Sequence, residues 1–251
     1  MSITRKAILI SSPTAYESKD LSPGTDNDME KWRSFLESPK GGCWNSLDII
    51  DYSFASSGPL CSFISGMGTQ DYVFVVYSGH GFQNSSETYI YESQISCVNV
   101  KDIEMSLVTI SSKAALIVDA CRSIPKSTPS YFDYSFLKGL INESYSGNEQ
   151  LAWETALTNC NTTGVVTIYS CRLDEISSMQ PDNKSSLFSD QLLASPNKGF
   201  GKILTLGKAF DYADIITNFV AYRKGEKQNP QIELNGKEIG CFSVDYPFAV
   251  K

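Results

Sequence analysis

One histidine serves the whole chain of 251 residues, and it sits in the stretch VFVVYSGHG at 73–81, where an apolar run gives way to glycines. Imidazole is the side chain that gains and loses a proton near neutral pH, so the position of His80 fixes where such chemistry can occur. Further along, a second apolar run, KAALIVDA at 113–120, ends at Cys121. A cysteine thiol is mostly protonated at neutral pH and becomes a nucleophile when a neighbouring base takes its proton. Each residue alone has an inert reading, because a lone cysteine is commonly a small buried hydrophobe and a lone histidine commonly structural. Both, however, stand just past the end of a strand-like run, and the glycines beside His80 let the backbone turn and approach a ligand. Together they point to a catalytic cysteine–histidine pair with the cysteine as nucleophile.

The elements that must position this pair read as strands alternating with helices. KAILISS at 6–12 predicts a first strand, followed by a Ser/Pro/Gly/Asp-rich loop. Asp26 or Asn27 can then cap a helix through MEKWRSFLES at 29–38, whose Met29, Trp32, Phe35 and Leu36 recur at helical spacing. SLDIIDYS at 46–53 and DYVFVVYS at 71–78 predict two more strands with a short helix near 57–66 between them. TYIYESQISCVNV at 88–100 reads as a hairpin, KDIEMSLVTI as a helix, and GVVTIYS at 164–170 as a fifth strand after KAALIVDA. Continuous apolar runs such as VFVV and ALIV suit parallel strands covered on both faces. The expected class is therefore α/β, with a mostly parallel central sheet of about six strands flanked by helices on both faces. Ligands of such sheets bind outside the carboxyl ends of the strands, where His80 and Cys121 both fall.

One domain over 1–251 is expected. Residues 122–163, rich in Ser, Pro, Asn and Gly around a helix-like EQLAWETALTN, form the weakest pattern and the best candidate for a mobile or cleavable connection. The net charge of −7, with no basic run, disfavours nucleic acid as a partner. No apolar run approaches the ~20 residues a bilayer span needs. The N-terminus reads as a strand rather than a leader, and seven cysteines without a CxxC pair suit a reducing compartment, hence the cytoplasm.

The order of apolar strand, SGHG, apolar strand and DAC resembles the caspase-like cysteine peptidases, which include caspases, metacaspases and paracaspases. Flanking segments match in the same order: PGTDNDMEKWRSFL at 23–36, IYSCRLDEISSM at 168–179, SSLFSDQLL at 185–193 and QNPQIEL at 228–234. The resemblance implies a caspase-like fold and peptide hydrolysis through a Cys121 acyl-enzyme. His80 would move the proton, and the N–H groups of Gly81 and Cys121 would hold the oxyanion. It also implies a substrate-binding loop containing Ser170, Ser177 and Ser178. No metal or cofactor is required for that chemistry, and calcium activation stays open.

The residue before the scissile bond, P1, is where this chain departs from caspases. Caspases, which cut after aspartate, resemble one another in a Gln two residues before the cysteine; here that residue is Asp119. Metacaspases, which cut after Arg or Lys, resemble this chain in that Asp and in an Asn-Asp pair matching Asn27-Asp28, although their cysteine is commonly followed by His-Ser-Gly rather than Arg122-Ser123-Ile124. Two buried carboxylates favour a cationic guest, so Asp28 and Asp119 are expected to form a pocket for basic P1 residues. The inert alternative has Asp28 capping the helix and Asp119 pairing with Arg122 or a backbone amide. Any self-cleavage is expected to fall after a basic residue of the 122–163 segment, Lys126 and Lys138 first. A standalone protease of this kind resembles those of bacterial defence systems, whose substrate can be a gasdermin or another effector protein and whose control can come from a separate activating protein. The competing function is a non-catalytic caspase-like adaptor that binds a partner through the same fold.

Overall fold

The computed structural model describes residues 3–16, 18–123, 147–180 and 184–251. In chain order its elements are β1 (Arg5–Ser12), α1 (Gly24–Glu37), β2 (Ile49–Tyr52), α2 (Phe54–Ser57), α3 (Leu60–Ser65), β3 (Tyr72–Gly79), β4 (Gly81–Asn84), β5 (Glu87–Tyr91), β6 (Cys97–Asn99), α4 (Val100–Ile110) and β7 (Lys113–Asp119). They continue with α5 (Glu149–Asn159), β8 (Gly164–Tyr169), α6 (Leu187–Ala194), β9 (Ile203–Thr205), α7 (Leu206–Arg223), β10 (Gln231–Leu234), β11 (Lys237–Glu238) and β12 (Pro247–Val250).

Among the described residues the central sheet has seven strands in the order β11-β10-β8-β7-β3-β1-β2. The five strands from β2 to β8 in that row are parallel, and β10 and β11 close the other edge antiparallel. Successive side chains of a strand face opposite sides, and both sides here are dry. Phe74 and Val76 of β3 with Ala115 and Ile117 of β7 join Trp32 of α1, Trp153 of α5, Phe188 of α6 and Phe210 of α7 in one core. Val73, Val75, Leu116 and Val118 join Leu60 and Ile64 of α3 with Ile103 and Leu107 of α4 in the other. The uninterrupted apolar runs of the sequence are explained by this double coverage. The expected α/β architecture is found, with one two-residue strand more than the six anticipated.

Three local expectations change. The α1 helix starts at Gly24, behind Pro23, so Asp26 falls in its first turn and Asp28 lies inside it. Proline's fixed φ is compatible with a helix start, and Asp26 there faces the favourable end of the helix dipole. Residues 46–48 form a single 3₁₀ turn, with Asn45 accepting the Leu47 N–H, so β2 begins only at Ile49. The anticipated hairpin at 88–100 is the second half of a three-stranded sheet, β4-β5-β6, whose first strand begins immediately after His80. Most of the 122–163 connection, including Lys126 and Lys138, lies outside the described residues; its helix-like end is α5.

Candidate active site

The parallel register sets the geometry. Ser78 of β3 is the direct partner of Asp119 of β7, so His80 and Cys121 follow by two residues on adjacent strands. Close backbone approaches hold this corner. A Cβ on Gly79 would stand 2.3 Å from the Ser12 carbonyl oxygen, and one on Gly81 would stand 2.8 Å from both the Ala120 Cβ and the Cys121 carbonyl oxygen. The glycines are thus steric requirements as well as flexible joints. Gly81→Ala should displace the Cys121 backbone and, since small misplacements of reacting groups cost about 10²-fold, lower kcat/KM by roughly that factor. A cooperative melt should persist, and activity within a fewfold of wild type would contradict the steric argument.

His80 is fixed by a bond from ring Nε2 to the Lys19 carbonyl oxygen, 2.7 Å. A carbonyl only accepts, so Nε2 carries the proton and the neutral ring leaves Nδ1 as its basic nitrogen. Burial lowers the imidazole pKa, opposed by the carbonyls of Lys19 and Pro13 and by Asp20. The Cys121 thiol is shifted the other way. Burial raises its pKa and Asp119 adds to the rise, while the Ser177 backbone opposes it. The Ser177 N–H donates to Sγ at 3.4 Å, and Sγ–H reaches the Ser177 carbonyl oxygen at 3.8 Å. In this resting arrangement the two groups are a thiol and a neutral imidazole. Tyr91 N–H bonds the His80 carbonyl, which makes Gly81–Ile90 a pair without mutual ladder bonds and leaves the Gly81 N–H outside the ladder.

The two acidic candidates are brought to one place by different elements. Asp28 reaches it from α1 and is fully buried; Asp119 reaches it from the end of β7 and is 3% exposed. Asp28 accepts from Ser78 Oγ at 2.7 Å and from the Ser186 N–H at 3.0 Å. Asp119 Oδ1 accepts from Ser177 Oγ at 2.7 Å, and its Oδ2 from Ser189 Oγ at 2.6 Å and the Ser189 N–H at 3.2 Å. Burial, with the Asp119 charge second, pushes the Asp28 pKa up to about 8 against the opposing bonds from Ser78 and Ser186. That rise favours the protonated form of Asp28.

Of the inert alternatives, the helix cap for Asp28 and the Arg122 partner for Asp119 are not found, whereas a backbone amide does pair with Asp119. Asp28 is inside α1 rather than at its cap. Arg122 turns away from Asp119: its guanidinium bonds Thr88 Oγ1, the Cys171 carbonyl and Gln231 Oε1, and lies 3.8 Å from the Tyr169 ring centroid. Asp119 does accept one backbone amide, that of Ser189.

The segment after β8 folds over this corner. Ser170 is fully buried, Ser177 contacts both Cys121 and Asp119, and Ser178 Oγ bonds Glu226 Oε2 at 2.9 Å. Sequence reasoning missed Ser78, Ser186, Ser189 and Gln228. Only Ser78 carried a local signal, its even spacing from His80 on a strand end; the others arrive from the residue preceding α6, from α6 itself and from the α7–β10 connection. Among the described residues no cluster of three or more His, Cys, Asp or Glu side chains is placed to hold a metal, and no helix is long and apolar enough to cross a membrane.

Comparison with known proteins identifies the fold and the family. The fold is similar to the crystal structure of caspase-1 from Spodoptera frugiperda, with a TM-score of 0.59 at 11% sequence identity, covering 95% of this chain and 90% of that one. No curated relative is matched by sequence. The caspase-domain model of peptidase family C14 matches residues 4–237, which include both strand ends and the segments folded over them. The chain belongs to the caspase-domain family of cysteine peptidases.

Proposed function

We propose that the protein is an endopeptidase that cuts protein substrates after Arg or Lys through Cys121 and His80, with the metacaspase-like pair Asp28 and Asp119 recognising P1. The observation that carries this reading is the convergence of two buried carboxyl groups beside a cysteine at the carboxyl edge of the sheet. Both reach the corner already bonded to serines, and Ser186, whose N–H binds Asp28, has a buried hydroxyl without a partner. An arriving guanidinium or ammonium group supplies charge-assisted bonds to this buried pair and favours the ionised form of Asp28 over the protonated one.

In the reaction the Cys121 proton passes to His80 Nδ1 as Sγ bonds the scissile carbonyl carbon. The oxyanion accepts from the N–H groups of Gly81 and Cys121. The carbon–nitrogen bond then breaks, the leaving amine takes the proton from His80, and water, deprotonated by His80, releases the acid and restores the thiol. The Lys19 carbonyl keeps Nε2 protonated throughout, so Nδ1 is the nitrogen that exchanges.

A peptidyl-arginine chloromethyl ketone provides the test. It should alkylate Cys121 in preference to the other six cysteines and faster than its aspartyl counterpart, as read by peptide mass spectrometry. Scattered labelling, or equal rates for both reagents, would instead favour an adaptor without a working P1 site.

A further inference from the structure

Ser177 occupies two places that a substrate needs. Its backbone brackets the Cys121 sulfur, with N–H at 3.4 Å and carbonyl oxygen at 3.8 Å, while its hydroxyl covers Asp119 Oδ1 at 2.7 Å. Since Asp119 Oδ2 is taken by Ser189, Oδ1 is the oxygen a P1 cation would have to claim. A scissile carbonyl must come within about 3–3.5 Å of the sulfur to react, which is the shell the Ser177 peptide fills.

A single buried amide holds this residue in place. Gln228, 1% exposed, donates from Nε2 to the Ser170 carbonyl at 3.1 Å and to Ser177 Oγ at 3.3 Å, and accepts the Ser178 N–H on Oε1 at 3.0 Å. Behind it, Asn229 donates through its N–H and Nδ2 to Glu175, at 2.7 and 2.6 Å. The connection between α7 and β10 thereby clips the loop after β8 onto the nucleophile.

We infer that Ser177 is a specificity gate coupling P1 recognition to release of the thiol: a cationic P1 side chain takes Asp119 Oδ1 from the Ser177 hydroxyl, and the same displacement lifts the Ser177 peptide off Cys121. The inference rests on the basic-P1 reading above. Its physical basis is an exchange of bonds. A charged N–H donor to a carboxylate outcompetes a neutral hydroxyl at the same oxygen, whereas a neutral or acidic side chain gains nothing by the swap and leaves the sulfur covered. Discrimination would then act on the reactivity of the nucleophile as well as on binding.

The test uses the intact protein and measures the rate of Cys121 alkylation by iodoacetamide, with buried Cys171 as an internal control for folding. Methylguanidinium serves as the P1 side-chain mimic and N-methylurea as its neutral isostere. In the wild type, methylguanidinium should accelerate Cys121 labelling about three- to tenfold, the scale of one net hydrogen bond, and methylurea should not. Ser177→Ala should label faster by a similar factor without any addition and should lose the response to methylguanidinium. Protection, or no change, on adding methylguanidinium to the wild type would overturn the gate without recourse to any variant. A parallel peptide panel separates the two claims. Preference for P1 Arg or Lys without methylguanidinium acceleration sinks the gate and leaves the specificity standing, whereas absence of that preference removes both.

Discussion

Cys121→Ala and His80→Ala should each remove peptide hydrolysis, with kcat/KM falling at least about 10³-fold while the melting transition stays cooperative. Residues that act as one unit typically cost nearly the full catalytic effect when either is lost, and the double variant should be little worse than either single one. The expected pH behaviour of the wild type sharpens this. His80 must be neutral to accept the thiol proton, and burial holds its pKa below the usual 6.5, so the acid limb of kcat/KM should lie below the ordinary imidazole range. A group whose pKa is lowered by burial is neutral over a wider span of pH, so activity should persist into mildly acidic buffer and fall only once the ring protonates. Cys121→Ala tolerates its substitution sterically, because alanine occupies less space than cysteine in a half-buried position. Near-wild-type turnover by either single variant would require a different nucleophile or base, and the chain has no second histidine to supply one.

The legible part of this molecule was the part encoded by continuous local pattern. VFVV and ALIV announce buried parallel strands because both of their faces meet helices, and the two strand ends then place His80 and Cys121 on one edge without further information. What surrounds them was legible only in fragments. GFQN is too short and too polar to read as a strand, yet β4 forms because Phe82 pairs with Tyr89 and the two rings stack at 5.3 Å; cross-strand aromatic pairs stabilise such short ladders. Gln228 looks like a solvated loop residue, and its burial follows from three bonds to a segment some fifty residues away, which no periodicity reports. Asp28 is buried, but the helix around it begins earlier than its polar neighbours suggest, so it enters the core from inside α1 rather than from a cap. The general reason is that strand hydrophobicity is dictated by layers on both sides of a residue, whereas polar networks depend on which distant loops meet.

Charge at the P1 site is separable from side-chain shape. Asp119→Asn keeps the outline of the side chain and one acceptor oxygen, which can retain the Ser189 bonds, while its NH2 takes the Oδ1 place beside the Ser177 hydroxyl and the negative charge is lost. Breaking a buried hydrogen-bonded charge pair costs about 2–5 kcal/mol, so kcat/KM for P1 Arg or Lys peptides should fall about thirtyfold or more, and that for a matched P1 Leu peptide much less. Asp28 adds a dependence on pH with a definite sign. Its pKa of about 8 in the free protein means that below pH 8 a proton occupies the carboxyl group, and a P1 cation must compete with it. The cation lowers that pKa and expels the proton, so recognition strengthens as pH rises toward 8, by up to about tenfold per unit, the most that one linked proton allows. Thiol and imidazole ionisation also alter rates over this range, but they act on every substrate alike. The ratio of kcat/KM for Arg over Leu peptides cancels them. That ratio should climb with pH up to about 8 in the wild type and become flat in Asp28→Asn, which mimics the protonated acid at all pH values. A ratio independent of pH in the wild type would place Asp28 outside the P1 site, and a wild-type preference for Leu or Asp would make both carboxyl groups purely structural.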